Sequence, residues 1–204
     1  EDAHPEPRLR ITAAFLAGMI AVLLVIPIER FFYRFTGFGI TSLTLILWAG
    51  TEELLKFGAA YFSAIKYRDN DEPLDPVIYM ISAALGFSAL ENAFFLSKLI
   101  DSGSVVQSII SGNMRFLGAT ILHSVASATV GTFLGFSFYK GREAKKFYLF
   151  TGLVLAVVLH TLFNSLIIKS GQNTFLVFGA VWASAIALIV IFEKIKRIKK
   201  IYLD

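Results

Sequence analysis

Six long apolar stretches separated by short polar breaks make up most of the chain, at roughly 11–28, 39–65, 77–98, 113–139, 147–168 and 174–193. A membrane-crossing helix needs about 20 consecutive, mostly apolar residues, and each stretch meets or approaches that length. The pattern therefore predicts an all-α, polytopic transmembrane bundle of about six spans. The breaks carry helix punctuation: RDNDEPLDP, residues 68–76, has two prolines that end one helix and allow the next to start. The run 104–139 is too long for one straight span, and Ser111-Gly112-Asn113 is expected to divide a short interfacial piece from the span proper. Residues 1–10 begin EDAHPEPR and read as a polar linker, since a signal peptide would need a basic start and an apolar run. Residues 194–204 read as a basic tail, and 1–204 as a single transmembrane domain.

Composition supports this picture. Of 204 residues, 56% are hydrophobic and 17% charged, with 20 Phe; soluble domains usually stay nearer 45–50% apolar. The absence of cysteine rules out a disulfide, a Cys-based metal site and a thiol nucleophile. A net charge of +4 calls for no nucleic-acid partner, because in membrane proteins the basic residues crowd the cytoplasmic loops. Arg8, Arg10, Lys66, Arg68, Lys140, Arg142, Lys145, Lys146, Lys194, Lys196, Arg197, Lys199 and Lys200 fall on one side of the predicted membrane. Only Arg30, Arg34, Lys98 and Lys169 fall on the other. The positive-inside rule then places both termini in the cytoplasm of a multi-pass protein of the cell membrane. FFYRF, 31–35, is expected to anchor at the outer interface, where Arg115 is expected to snorkel.

Four spans carry residues that do not belong in lipid. The second has Glu52, Glu53 and Lys56 within WAGTEELLKF; the third has Glu91 and Asn92 within GFSALEN; the fourth has His123; the fifth has His160 and Asn164 within HTLFN. Glu53 lies 13 residues from Lys66, Glu91 14 from Val77, His160 14 from Lys146 and His123 17 from Lys140. At about 1.5 Å per residue, all four stand on the order of 20–25 Å above the cytoplasmic edge of a core about 30 Å thick. One polar cluster in the outer half of the bilayer is the expectation. An ionised residue at a helix centre costs roughly 2.5–3.5 kcal/mol, so three Glu and one Lys left unpaired would cost on the order of 10 kcal/mol. Lys56 can reach Glu53 at i,i+3 or Glu52 at i,i+4. A single Lys cannot neutralise Glu52, Glu53 and Glu91, so a proton, His123, His160, Arg115 or a metal ion must help.

Each feature also has a plain structural reading: a helix-packing ion pair at 52–56, an interhelical knot at Glu91-Asn92, satisfied core histidines, Asn164 as interhelical glue. Their shared depth favours a site. Carboxylates, imidazoles and an amide together suit hydrolysis: a carboxylate takes a proton from water, a histidine shares it, and neutral donors stabilise an oxyanion. Ser124 and Ser127 lie in no serine-hydrolase motif, which points to activated water. Two His and one or two Glu could instead hold Zn²⁺ with an open position, drawn from Glu53, Glu91, His123 and His160, although the HExxH helix is absent. A proton- or ion-coupled transporter would bury similar groups, but no internal repeat accompanies them here. A non-catalytic membrane scaffold would not need all four motifs.

EELLK at 52–56, GFSALEN at 86–92, His123 followed by SATVG at 127–131, and HTLFN at 160–164 occur in the order found in PrsW-type intramembrane proteases. Those proteases belong to the wider CAAX-protease and bacteriocin-processing superfamily. PEPRLRITAAFLAG, 5–18, resembles that family's entry into a span. The resemblance implies a helical bundle enclosing a polar cavity and peptide-bond hydrolysis by a glutamate-activated water without a metal cofactor. It implies Glu52 as base with His123 orienting the water. Glu53 would tune the site with Lys56, and His160 and Asn164 would stabilise the oxyanion. Glu91 and Asn92 would be supporting residues. It also implies a membrane-anchored protein or peptide substrate, such as an anti-sigma-factor-like regulator, and further helices ahead of the PEPR stretch.

Overall fold

The computed structural model describes residues 5–101, 105–170 and 174–198, with side chains over 5–98, 118–167 and 179–198. Six long helices follow one another: α1 (Arg8–Phe35), α2 (Ser42–Ala60), α3 (Asp75–Asp101), α4 (Val105–Phe136), α5 (Arg142–Ser170) and α6 (Thr174–Ile195). No strand occurs among the described residues. Four segments are long and apolar enough to cross a membrane: Arg8–Phe35, Asp75–Lys98, Gly118–Phe136 and Arg142–Ile167. In α2, three charged side chains interrupt a mostly apolar 19-residue helix.

Two differences from the sequence reading have local causes. α4 runs through Ser111-Gly112-Asn113 without a break; one glycine in a helix costs only about 1 kcal/mol relative to alanine. α1 continues past residue 28 to Phe35, carrying Pro27 inside it and adding about two turns. Phe31 stacks on Phe35 one turn later, so the aromatic run extends the helix rather than ending it. The Arg115 side chain lies outside the described residues.

α3 is the central element and packs most extensively on α4 and α1. Small residues permit these approaches. A Cβ on Gly18 would overlap the Ala83 carbonyl, and a Cβ on Gly86 would overlap the Phe15 carbonyl, so α1 and α3 touch backbone to backbone. At α4, a Cβ on Gly131 would come within 2.6 Å of the Val77 Cα. Tyr79, Met80, Ala83 and Phe87 of α3 are buried in the seams so formed. α2 begins at a capping box in which Thr41 and Thr44 exchange side chain-to-backbone bonds of 3.2 Å. It ends in a single π-helical stretch, Tyr61–Ile65. Leu16, Leu23, Leu24, Ile186 and Ile189 face outward, as lipid contact requires.

Candidate active site

Helical spacing decides how α2 presents its charges. Glu52 and Glu53 are neighbours, about 100° apart around the axis, yet both are buried because helices pack on each side of that face. Lys56 lies one turn on and is fully buried. Its Nζ donates to Glu53 Oε1 at 2.6 Å and stays 4.0 Å from Glu52 Oε2. Of the two registers open to it, the i,i+3 partner wins. Lys56 also sits 4.9 Å from the centre of the Phe87 ring, a favourable position for an ammonium.

Glu53 is the hub of the cluster. Besides Lys56, its Oε1 contacts His160 Nδ1 at 2.8 Å, and its Oε2 accepts from Ser127 Oγ at 3.4 Å. Helices α2, α4 and α5 are thus joined through one carboxylate. The Lys56 ammonium has only hydrogens to give, so its 2.9 Å contact with His123 makes Nδ1 the acceptor there. Nε2 then carries the hydrogen and donates to Glu91 Oε2 at 2.9 Å. A carboxylate only accepts, so His160 donates from Nδ1 to Glu53, and in the neutral imidazole Nε2 is left as an acceptor. That nitrogen faces Glu52 Oε2 at 3.8 Å. Glu52 Oε2 is buried and receives no hydrogen bond. The two imidazoles meet edge to face, with ring centres 5.1 Å apart.

The structure therefore brings together Glu52, Glu53, Lys56, Glu91, His123 and His160 from four helices. Asn92 turns elsewhere: its Nδ2 donates to Ser88 Oγ at 3.1 Å and Thr120 Oγ1 at 3.3 Å, clamping α3 to α4 behind the cluster. Asn164 is half-buried one turn beyond His160, and the cluster's hydrogen bonds do not reach it.

A further acidic residue joins the cluster. Glu29 of α1 brings its carboxyl within hydrogen-bonding reach of the Glu52 carboxyl. Its position is fixed from α2, where Trp48 Nε1 donates to the Glu29 carbonyl at 3.0 Å. Glu29 lines a cavity of about 170 Å³ whose walls include Glu52, Phe87 and Glu91. It also lines an adjoining cavity of about 600 Å³ that opens between α1, α2 and α3 past Tyr33, Trp48 and Ile40. Ile26, Glu29, Phe94 and Lys98 belong to both. Glu52 is therefore reached through a largely apolar cleft with Glu29 at its neck. The signal was an acid beside Arg30 in PIERFF; it was hidden because the first span was expected to end at residue 28.

Donor atoms of Glu52, His123 and His160 lie within 4.8 Å of one another, all buried. In identity this set suits zinc, which binds two histidines and a carboxylate with a fourth position open. Glu52 Oε2 stands 3.7 Å from His123 Nδ1 and 3.8 Å from His160 Nε2, close to the roughly 3.3–3.4 Å edge of a zinc tetrahedron with 2.0–2.1 Å bonds. The lone pairs do not suit it. His123 Nδ1 is engaged by Lys56, so two donors rather than three are free, and an ammonium already supplies positive charge there. Glu53 and Glu91, the other carboxylates offered by the sequence, face Lys56 and His123.

A family model described as PrsW family intramembrane metalloprotease matches residues 6–192. A protein named Protease PrsW from Geobacillus kaustophilus is 26% identical over 209 aligned positions, covering 98% of this chain and 84% of that protein. Proteins of the same name from Halalkalibacterium halodurans and Bacillus subtilis are 27% and 24% identical, covering 78% and 76% of this chain and 70% and 68% of their own lengths. No solved structure matches. A helical membrane bundle with buried carboxylates and imidazoles at the end of a cleft, matched by that family along nearly its whole length, makes the chain a peptidase belonging to the PrsW family of intramembrane proteases.

Proposed function

We propose that the chain is an endopeptidase that hydrolyses peptide bonds of membrane-associated proteins with a water activated by Glu52, without a metal. One observation carries this reading. Glu52 Oε2 and His160 Nε2 lie buried 3.8 Å apart, and Glu52 lines the cleft. One water can donate a hydrogen to each and keep a lone pair for attack. Glu52 takes the proton as the water oxygen bonds to the scissile carbonyl carbon. The carbonyl oxygen becomes an oxyanion, for which Asn164 is the proposed donor. The proton then passes from Glu52 to the leaving nitrogen. The C–N bond breaks, giving a carboxyl and an amine. His160 is here the water-orienting group, because both nitrogens of His123 have other partners. Lys56 and Glu53 hold the two imidazoles in their tautomers.

The cleft past Ile26, Phe94 and Trp48 suits an apolar segment unwound from a membrane helix. A membrane-anchored regulator of the anti-sigma-factor type is the proposed substrate class, and the charge asymmetry of the loops supports a site in the outer half of the bilayer with both termini cytoplasmic. A second reading rests on the three converging donors: were Lys56 to release His123 Nδ1, Glu52, His123 and His160 could hold zinc, which would supply a Lewis acid and an activated water.

The test is Glu52→Gln, which keeps shape and removes the base. Cleavage of a single-pass membrane substrate by the purified protein in lipid should fall below detection while the thermal midpoint stays near wild type. Wild-type cleavage by the folded variant would remove Glu52 as base.

A further inference from the structure

A separate cleft lies at the other end of α2. It has a volume of about 360 Å³ and is formed by the last turns of α2, the loop that follows, the end of α4 and the start of α5. Its floor is apolar, with Phe57, Tyr61 and Leu149 running along the seam between α2 and α5. Its rim is cationic. Lys66, Arg142, Lys145 and Lys146 all line it, and among the described residues no carboxylate does. Of these, Lys146 pairs with the exposed Glu143 at 2.7 Å. Lys66 and Lys145 extend over aromatic rings, with Nζ 5.2 Å from the Phe62 and Tyr67 centres and 5.7 Å from that of Phe138. Arg142 is the first residue of α5, so the positive dipole end of a 29-residue helix lies at the cleft. On the wall, Asn70 Oδ1 is buried and accepts no hydrogen bond.

Like charges gathered around one apolar slot repel each other unless an anion joins them. The slot needs a ligand with a charged head and a long apolar body. We propose that this cleft binds one anionic phospholipid of the phosphatidylglycerol class. The phosphate lies among Lys66, Arg142 and Lys145. A headgroup hydroxyl donates to Asn70 Oδ1. An acyl chain follows the Phe57–Tyr61–Leu149 seam. The position matters for the enzyme: α2 carries Glu52, Glu53 and Lys56, α5 carries His160, and the Glu53–His160 bond crosses the same seam. A lipid wedged at its end fixes the spacing of the two helices.

The experiment compares wild type with two variants that lose equal charge. The groove variant is Lys66→Gln/Arg142→Gln/Lys145→Gln, and the tail variant is Lys194→Gln/Lys196→Gln/Arg197→Gln. Each purified protein is titrated in neutral detergent with phosphatidylglycerol, phosphatidylcholine or inorganic phosphate. Bound lipid is counted by native mass spectrometry and the thermal midpoint is followed. Wild type and tail variant should retain one phosphatidylglycerol and gain thermal stability from it. The groove variant should bind it roughly tenfold or more weakly, given the worth of each cation near a lipid phosphate. Phosphatidylcholine and inorganic phosphate should have little effect. Equal loss in the tail variant would reduce the effect to diffuse charge, and stabilisation by inorganic phosphate alone would make this a free-anion site; either overturns the proposal. If the triple variant does not fold, Arg142→Gln alone reads the same contact, and wild-type lipid affinity in it would count against the site.

Discussion

Replacing Lys56 by methionine isolates the interaction on which the cluster depends. The side chain is fully buried, bonded to Glu53 at 2.6 Å and to His123 at 2.9 Å. Methionine fills much the same volume against Phe87 but leaves Glu53 with only His160 and a 3.4 Å contact from Ser127. Breaking one side of a buried ion pair typically costs about 3–5 kcal/mol, because the remaining charge is uncompensated. At about 2–4 °C per kcal/mol for a chain of this size, the thermal midpoint should drop by roughly 6–20 °C. The companion change Glu53→Gln removes the stranded charge while keeping an oxygen to accept from His160 Nδ1. The double variant Lys56→Met/Glu53→Gln should therefore recover most of the lost stability and none of the activity. The assay is a thermal-unfolding cycle of the four proteins in one lipid or detergent, with cleavage measured in parallel. A double variant as unstable as Lys56→Met would refute the argument, since the loss would then come from packing rather than from charge.

Two further substitutions test a helix contact and a proposed oxyanion donor. Gly86→Ala puts a methyl into the Phe15 carbonyl, with backbone on both sides of the contact; α1 should separate from α3, with a large fall in thermal midpoint, and a wild-type midpoint would contradict the close approach. Asn164→Ala should slow turnover by roughly 10²–10³-fold with KM little changed, the usual loss for one oxyanion donor; a change confined to KM would remove Asn164 from the chemical step.

Much of the site was legible because helical rise is uniform. Counting residues from the charged loops placed Glu53, Glu91, His123 and His160 at one depth, and they meet. Rotation about the helix axis and side-chain rotamers are not encoded so simply. The sequence left Lys56 two carboxylates, and packing chose Glu53. It also put Asn92 beside Glu91, although adjacent helical residues diverge by about 100° and Asn92 in fact faces Thr120. Glu29 was missed because apolar length alone set the end of the first span. The cleft that opens past Glu29 depends on how α1, α2 and α3 diverge, which no pattern within one helix reports.

In the proposed metal-free mechanism, Lys56 supplies beside Glu52 and His123 the positive charge that a zinc ion would otherwise bring. Its most direct test is quantification of zinc in the purified, active protein together with its cleavage rate after exhaustive chelation. Substoichiometric zinc and an unchanged rate are expected. One zinc per chain, lost along with cleavage in His123→Ala and His160→Ala, would contradict it.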